Sequence, residues 1–383
     1  MGGPTYYEFF AGGGMARAGL GPGWRCLFAN DFDPRKARAY AGNWGGEDFR
    51  PGDIHRLAAA DLPGRADLAW ASFPCQDLSL AGAGRGLGGA RSGAFFGLAA
   101  LIAGLRAEGR APKILALENV VGLLTSNGGA DFVALCRALQ GLGYRFGALT
   151  VDAVHFLPQS RPRLFVVAVD RDHAVPAACI AVAQSLDWAS AALKRARESL
   201  PPSVARDWLW WRLPAPPLRN VALADLIEPD PRDVEWLDAR KTARLLDLMA
   251  PLHRARVEAA RKSGTKMVGA LYRRTRRDAE GNRVQRAEVR FDGIAGCLRT
   301  PAGGSSRQSI LVIENGAVRA RLLSGREAAR LMGLPDDYRL PSGYTEACHL
   351  LGDGVVAPVV RFLAEHLLEP LADAPAAPLL AAE

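Results

Sequence analysis

The six cysteines of this chain, Cys26, Cys75, Cys136, Cys179, Cys297 and Cys348, include no Cys-x-x-Cys pair. That absence argues against a zinc site and against a disulfide scaffold, and it suits a reducing compartment. No run is apolar for long enough to cross a bilayer. The first apolar stretch contains Glu8, so it does not read as a secretory signal. No internal repeat is visible, so no repeat architecture is expected. The glycines after the first β-prone run lack the Gly-x-Gly-x-x-Gly order, which disfavours a nicotinamide cofactor.

What is present fits a globular chain of two domains. Of 383 residues, 49% are hydrophobic and 23% are charged. The net charge is +8, and it is confined to one region. Residues 172–320 hold 25 Lys and Arg against 17 Asp and Glu, whereas the remainder holds 23 of each. Arg254 to Arg299 alone has 13 basic and 5 acidic residues. A neutral body with one basic insert points to a polyanion partner. A solvated helix face and a basic loop are the plainer alternative.

The chain opens as a ligand-binding α/β sheet. Thr5 to Phe10 is β-prone and enters Ala11-Gly12-Gly13-Gly14-Met15, with a helix pattern from Ala16. Strand, glycine turn and helix begin a Rossmann-like sheet, because glycine lets backbone approach a ligand closely. Arg25 to Asn30 reads as a second strand, ending in Asn30-Asp31-Phe32-Asp33. An acidic residue about 20 positions after the glycine turn is where such folds grip ribose hydroxyls. Phe32 offers a face for adenine, and Asp33, before Pro34, suits a helix N-cap. Gly52-Asp53-Ile54 is a short third edge, either an adenine contact or a turn. Ala66 to Ala71 is an apolar run that reads as a buried strand, stopped by Pro74. Cys75 is thereby held at the carboxyl end of a strand, the edge where open α/β sheets bind ligands. The bland reading is a buried small residue, the common fate of a free cysteine.

Gly93 to Leu105 reads as a helix, and Lys113 to Leu117 as a strand ending in Glu118-Asn119-Val120. A carboxylate directly after a buried strand is costly unless it is paired or functional. Asp131 to Leu142 is another helix, and Gly143 to Val151 and Arg163 to Val169 are two further strands. In the segment before the last of these, Arg161 and Arg163 alternate, which points both to one side. They are available to Glu118, a base carbonyl, a phosphate or a surface ion pair. Beyond Asp172, Trp208-Leu209-Trp210-Trp211 reads as part of a small second core and Trp236 to Lys262 as a helix. Met267 to Tyr272 and Arg286 to Phe291 read as strands joined by a basic turn. Arg299 to Gln308 is a polar, glycine-rich loop suited to base edges and phosphates. Ser324 and Glu327 have capping-box spacing at the head of a helix. Ala357 to Leu368 is a last amphipathic helix before an Ala- and Pro-rich tail.

Taken in order, five segments resemble the motif series of the DNA (cytosine-5) methyltransferases of bacterial or phage type. They are Phe10 to Gly14, Pro74-Cys75-Gln76, Glu118-Asn119-Val120, Gln159-Ser160-Arg161-Pro162-Arg163 and Arg326 to Gly333. The match runs from Tyr6 to about Leu368. The basic insert lies between the last two segments, where that family keeps its target-recognition domain. The resemblance implies an α/β, Rossmann-like S-adenosylmethionine-dependent methyltransferase fold. Its sheet is mostly parallel and seven-stranded, with a smaller irregular target-recognition domain. The expected division is 1–171 for catalysis and donor binding, 172–320 for target recognition, 321–370 returning to the catalytic domain, and 371–383 as a disordered tail.

The resemblance further implies S-adenosylmethionine as methyl donor, S-adenosylhomocysteine as product, and no metal. Phe10, Ala11, Gly12, Gly13 and Gly14 would line the donor's methionine and ribose portion. Asp31 and Phe32 would take the ribose and adenine, Asp53 and Ile54 the adenine edge. Pro74, Asp353 and Val355 complete the expected donor site. Cys75 would add to C6 of cytosine, giving C5 enamine character. Glu118 would hold the N3/N4 edge, Arg163 would bind O2 and orient Glu118, and Arg161 would support the loop or a phosphate. The stacked base must first be flipped out of the duplex, with Gly82 to Gly93 as a closing lid. Gln76, Ser79, Arg85, Gln159, Arg273, Arg274, Arg299, Gly303, Gly304 and Arg307 are the expected DNA contacts.

Two positions depart from the family pattern. Asp353, followed by Gly354, stands where the family usually has Asn in a Gly-Asn-x-Val segment. Cys297-Leu298 stands where it often has Thr-Leu. The expected setting is a monomer acting on double-stranded DNA in a prokaryotic cytosol, away from membranes, with any cognate restriction endonuclease acting separately. The competing readings are a tRNA (cytosine-5) methyltransferase, a nicotinamide oxidoreductase and a DNA-binding module with an inactive methyltransferase fold. The tRNA branch typically carries Cys-Phe-Thr near the insert, and this chain has no such tripeptide.

Overall fold

The structure is a computed structural model that describes residues 2–74, 93–183, 185–277, 280–300 and 307–375. The chain forms two compact units. One comprises Met1–Asp152, Pro162–Pro216 and Val355–Glu383, the other Ala153–Arg161 and Pro217–Gly354.

In the first unit seven strands make one sheet. They are β1 (Thr5–Phe9), β2 (Arg25–Asp31), β3 (Phe49–Pro51), β4 (Leu68–Ser72), β5 (Ile114–Val120), β6 (Tyr144–Asp152) and β7 (Pro162–Asp170), in the order β3-β2-β1-β4-β5-β7-β6. The first five run parallel, and β7 is reversed against both β5 and β6. Leu68 to Ala71 and Ile114 to Leu117 are buried throughout. Such unbroken apolar runs belong to central parallel strands covered on both faces. Strand order reverses at β1, since β2 and β3 lie to one side of it and β4 to the other. Open sheets bind ligands outside the carboxyl ends of the strands at that reversal. The Gly12 turn, Asp31 and Pro74 follow or end β1, β2 and β4 respectively.

Two distant segments close this unit. Helix Ala357–Leu363 packs on helix Met15–Leu20, where a Cβ on Gly19 would stand 2.4 Å from Val360 Cβ. Arg361 Nη1 donates to Leu20 O at 2.6 Å. The tryptophan-rich segment does not make a second core. Leu209 N donates to Phe146 O at 2.7 Å along β6, and Trp208 joins the main core beside Phe132 and Phe146. β6 is the last strand of the sheet, and this segment covers its otherwise open edge. The compact units therefore divide at other points than 171/172 and 320/321. One stretch, Tyr344–Ala372, is long and apolar enough to cross a membrane by length and composition alone. It is broken at Gly354, Val355 and Val356, and 61% of its most apolar window is buried, as in core helices.

The second unit carries a four-stranded antiparallel sheet, β11-β10-β8-β9. Its strands are β8 (Met267–Arg277), β9 (Arg283–Arg290), β10 (Ser309–Glu314) and β11 (Ala317–Leu322). Helices Ala239–Asp247 and Pro251–Lys262 bury Leu245 and Val257 in one cluster with Leu271, Val289 and Leu311. The single helix expected over Trp236 to Lys262 is thus two. Pro251 disfavours helical backbone at Ala250, which is extended at ψ 158°. The basic stretch expected as a turn is mostly strand, because β8 continues to Arg277 and β9 begins at Arg283. Arg321 and Glu327, both with 0% exposed side chains, pair at 2.6 Å. Ser324 caps helix Gly325–Leu331 in the capping box its spacing predicts.

Candidate active site

At the end of β1 the chain turns sharply through positive φ at Phe10 (56°), Gly12 (57°) and Gly14 (75°). A Cβ on Gly14 would stand 2.2 Å from Trp44 Nε1, so this turn requires glycine there. Asp31, at the end of β2, is 4% exposed. Its Oδ2 accepts from Gly12 N and its Oδ1 from Asp33 N, both at 2.9 Å. Asp31 thereby fixes the glycine turn to the end of β2. Asp33 caps helix Pro34–Trp44 by accepting from Arg35 N at 2.8 Å. The Arg35 side chain holds the Asp33 carboxyl below its usual range. Phe32 presents its ring to solvent at 68% exposure. Asn30 Nδ2 donates to Arg50 O and Gly52 O, which brings exposed Asp53 and buried Ile54 to the same edge.

Glu8, on β1, is 1% exposed. Neither of its oxygens has a hydrogen-bond partner of good geometry among the described residues. Burial pushes its carboxyl up to about 8, against the pull of Arg17.

On the other side of the reversal, Ser72 of β4 pairs with Glu118 of β5. In the β5–β7 ladder Glu118 stands opposite Phe165 and Val120 opposite Arg163. Glu118 and Arg163 are therefore diagonal neighbours on one face. Arg163 Nε lies 3.1 Å from Glu118 Oε1, with side chains 15% and 8% exposed. The reversal of β7 is what brings its first residues, rather than its last, to this edge. Asn119 points the other way, as alternation requires. Its Nδ2 donates to Phe73 O at 2.9 Å, and its Oδ1 accepts from Val120 N at 2.9 Å. Phe73 and Pro74, the two residues before Cys75, are thus tied to the end of β5. Sequence reasoning gave Asn119 no role, although its place beside Glu118 was a signal. Cys75, Gln76, Ser79, Arg85, Gly303 and Gly304 lie outside the described residues, as does the expected lid up to Ser92.

The second unit holds the remaining expected residues except Val355. Gln159, expected against DNA, is instead fully buried. Its Nε2 donates to Leu331 O at 2.7 Å and its Oε1 accepts from Leu298 N at 3.1 Å. Arg161 is 2% exposed. Its guanidinium donates to Leu298 O at 2.8 Å, Gly352 O at 2.9 Å and Gly354 O at 2.6 Å. That is support for a loop, not a face for a phosphate. Strand alternation does not extend to Arg161 because β7 begins only at Pro162, and Arg161 and Arg163 belong to different units. Asp353 Oδ1 accepts from Thr300 Oγ1 at 2.5 Å. Arg299 is exposed, whereas Arg307 lies over the Tyr344 ring at 5.4 Å and donates to Thr345 Oγ1 at 2.9 Å. Val355, in the first unit, is buried. No group of three or more His, Cys, Asp or Glu residues suited to a metal occurs among the described residues.

The pattern of C-5 cytosine-specific DNA methylases matches residues 5–369. The chain is 26% identical over 367 residues to Type II methyltransferase M1.ScrFI of Lactococcus lactis subsp. cremoris, covering 95% of this chain and 78% of that protein. It is 24% identical over 367 residues to Type II methyltransferase M.HhaI of Haemophilus parahaemolyticus, covering 95% and 94%. Among solved structures, the S. pombe Dnmt2 methyltransferase shares the fold, with a TM-score of 0.57 at 17% identity, covering 96% of this chain and 99% of that one. With the family pattern spanning both units and the glycine turn, Glu118 and Arg163 gathered at one sheet edge, this chain belongs to the C-5 cytosine-specific DNA methylases and is a DNA (cytosine-5) methyltransferase.

Proposed function

We propose that this enzyme transfers a methyl group from S-adenosylmethionine to C5 of a flipped-out cytosine, through a transient bond between Cys75 and C6. One observation carries the reading. The Glu118–Arg163 pair stands at the end of β5, and the neighbouring Asn119 ties down the two residues that precede Cys75. A charged pair and the two residues before the nucleophile are thereby held at adjacent strand ends.

The edge around β1 to β3 fits an adenosine. The exposed Phe32 ring offers an adenine face. Asp31 retains lone pairs for ribose hydroxyls, and the space beside Gly12 is open, with no atom within 4 Å of a Cβ built there. When bound, S-adenosylmethionine supplies an electrophilic methyl group.

The Cys75 thiolate adds to C6, which moves an electron pair towards C5. Glu118 bonds the N3/N4 edge and Arg163 bonds O2, so charge growing on the ring meets groups already held in place. C5 then bonds the methyl carbon as the carbon–sulfur bond of the donor breaks. A base takes the C5 proton, and the returning electrons expel Cys75. Inside a duplex C6 is stacked out of reach, so the base is rotated out first. The enzyme acts as a monomer, apart from any cognate restriction endonuclease.

Transfer of a labelled methyl group to duplex DNA and to tRNA tests the proposal. The wild type labels DNA, and Cys75→Ser labels neither substrate while keeping donor affinity within about twofold by calorimetry. Label in tRNA alone, or transfer by Cys75→Ser at the wild-type rate, overturns it.

A further inference from the structure

The ladder between β8 and β10 ends at the Leu271–Ser309 pair, whereas β8 stays paired with β9 as far as Arg277–Arg283. Residues 273–277 and 283–287 therefore extend past the β10 pairing as a two-stranded ribbon. Five residues at about 3.3 Å each give it a reach of roughly 15 Å. Arg273 to Arg277 are all exposed.

The two faces of this ribbon differ. On one, Arg274 and Arg276 both reach Glu288, at 3.5 and 2.6 Å, and Arg274 lies over the Tyr272 ring at 5.1 Å. Glu288 meets both of those charges, and the third arginine of this face, Arg286, stands opposite Arg274 and is half-buried. On the other face the register sets Thr275 opposite Gln285 and Arg277 opposite Arg283, with Arg273 next in line. No acid lies on this face among the ribbon residues named. Gln285 Nε2 donates to Thr275 Oγ1 at 2.8 Å, which leaves its Oε1 and second amide hydrogen available. Arg277 donates to Gly281 O at 3.0 Å. Arg273 and Arg283 make no ion pair among the described residues. Like charges directly opposite one another destabilise a ladder. The Arg274–Arg286 pair has Glu288 beside it, whereas the Arg277–Arg283 pair makes no ion pair among the described residues, so an anionic surface would relieve the second pair.

We infer that the face bearing Arg273, Thr275, Arg277, Arg283 and Gln285 enters the DNA major groove and reads base edges there, while the Glu288 face does not. The inference rests on duplex DNA being the substrate. A groove about 12 Å wide admits a two-stranded ribbon. Arginine forks match guanine O6 and N7, and a glutamine amide matches adenine N6 and N7. Sequence alone treated Arg273 and Arg274 alike and placed the reader in Arg299 to Gln308. The strand register separates the two arginines.

The test uses the full-length enzyme and selection of bound duplexes from a random-sequence library, which needs no turnover. Salt-dependent affinity for the selected sequence is measured alongside. Arg283→Gln and Gln285→Ala are expected to lose base preference at one or two positions and to weaken binding about tenfold. Arg274→Gln is expected to keep the wild-type preference and lose less than about threefold. Arg273→Gln serves as a second face variant if either of the first two unfolds. Unchanged base preference in the face variants, even with weaker binding, overturns the inference, because that is the signature of phosphate contact alone. Equal loss of preference in Arg274→Gln overturns it too. An enzyme that selects a sequence but methylates nothing would contradict the catalytic proposal and leave this comparison intact.

Discussion

Glu8 places an ionisable carboxyl inside β1 with no good hydrogen-bond partner among the described residues, and its raised value near 8 has a defined consequence. In the unfolded chain the group releases its proton near the ordinary value of about 4.3. In the fold it holds the proton until about pH 8. Across that window the folded state binds more protons, so its contribution to stability is full below about pH 4 and is lost as pH rises to about 8. Glu8→Gln is expected to flatten the fall in melting temperature between pH 5 and 8, and a variant profile parallel to the wild type would refute this. Asn119 is the second residue with a sharp expectation. Asn119→Ala leaves the Phe73 carbonyl without its bond, a loss of about 1–3 kcal/mol. The expected result is a kcat at least about tenfold lower with donor affinity kept; an unchanged kcat would remove Asn119 from the positioning of Pro74 and Cys75. Glu118 and Arg163 were legible in sequence because an acid after a buried strand needs a partner. Gln159, Arg161 and Asp353 were not legible in detail. Their bonds join residues up to 193 positions apart, and nothing local announces them.

Elements with strong local signals came out close to their expected bounds, among them β2, β4, β5 and the capped helix at Ser324. The basic ribbon did not, because hydrophobic alternation cannot be read through a run of arginines. The tryptophan-rich segment was misplaced for a different reason. Its density of large rings signals burial but not against which strand. The Arg321–Glu327 pair exemplifies what tertiary structure adds to a local motif. The capping box predicts Glu327 bonding Ser324 N, and the fold also gives it a buried guanidinium and Glu228 N. Arg321→Met alone is expected to destabilise the second unit by about 3–5 kcal/mol, since it strands a buried carboxylate. Arg321→Met combined with Glu327→Gln should recover part of that loss in denaturant unfolding. A double variant as unstable as the sum of the singles would mean the two side chains are not coupled.

At the scale of the molecule, a neutral body and a basic insert were visible from charge counts alone, and so was the α/β sheet. The points of division were not, because compact units follow packing: the chain from 172 to 216 covers β6, and that from 321 to 354 joins the second unit. The proposed chemistry turns on one temporary bond, between Cys75 and C6 of cytosine. An oligonucleotide with 5-fluorocytosine in the target position, incubated with enzyme and S-adenosylmethionine, tests it most directly, because fluorine at C5 cannot leave as a proton does. The predicted result is a stable protein–DNA adduct, mapped by mass spectrometry to Cys75 and missing in Cys75→Ser. A wild-type enzyme that methylates the unmodified site yet forms no adduct through Cys75 would contradict the account.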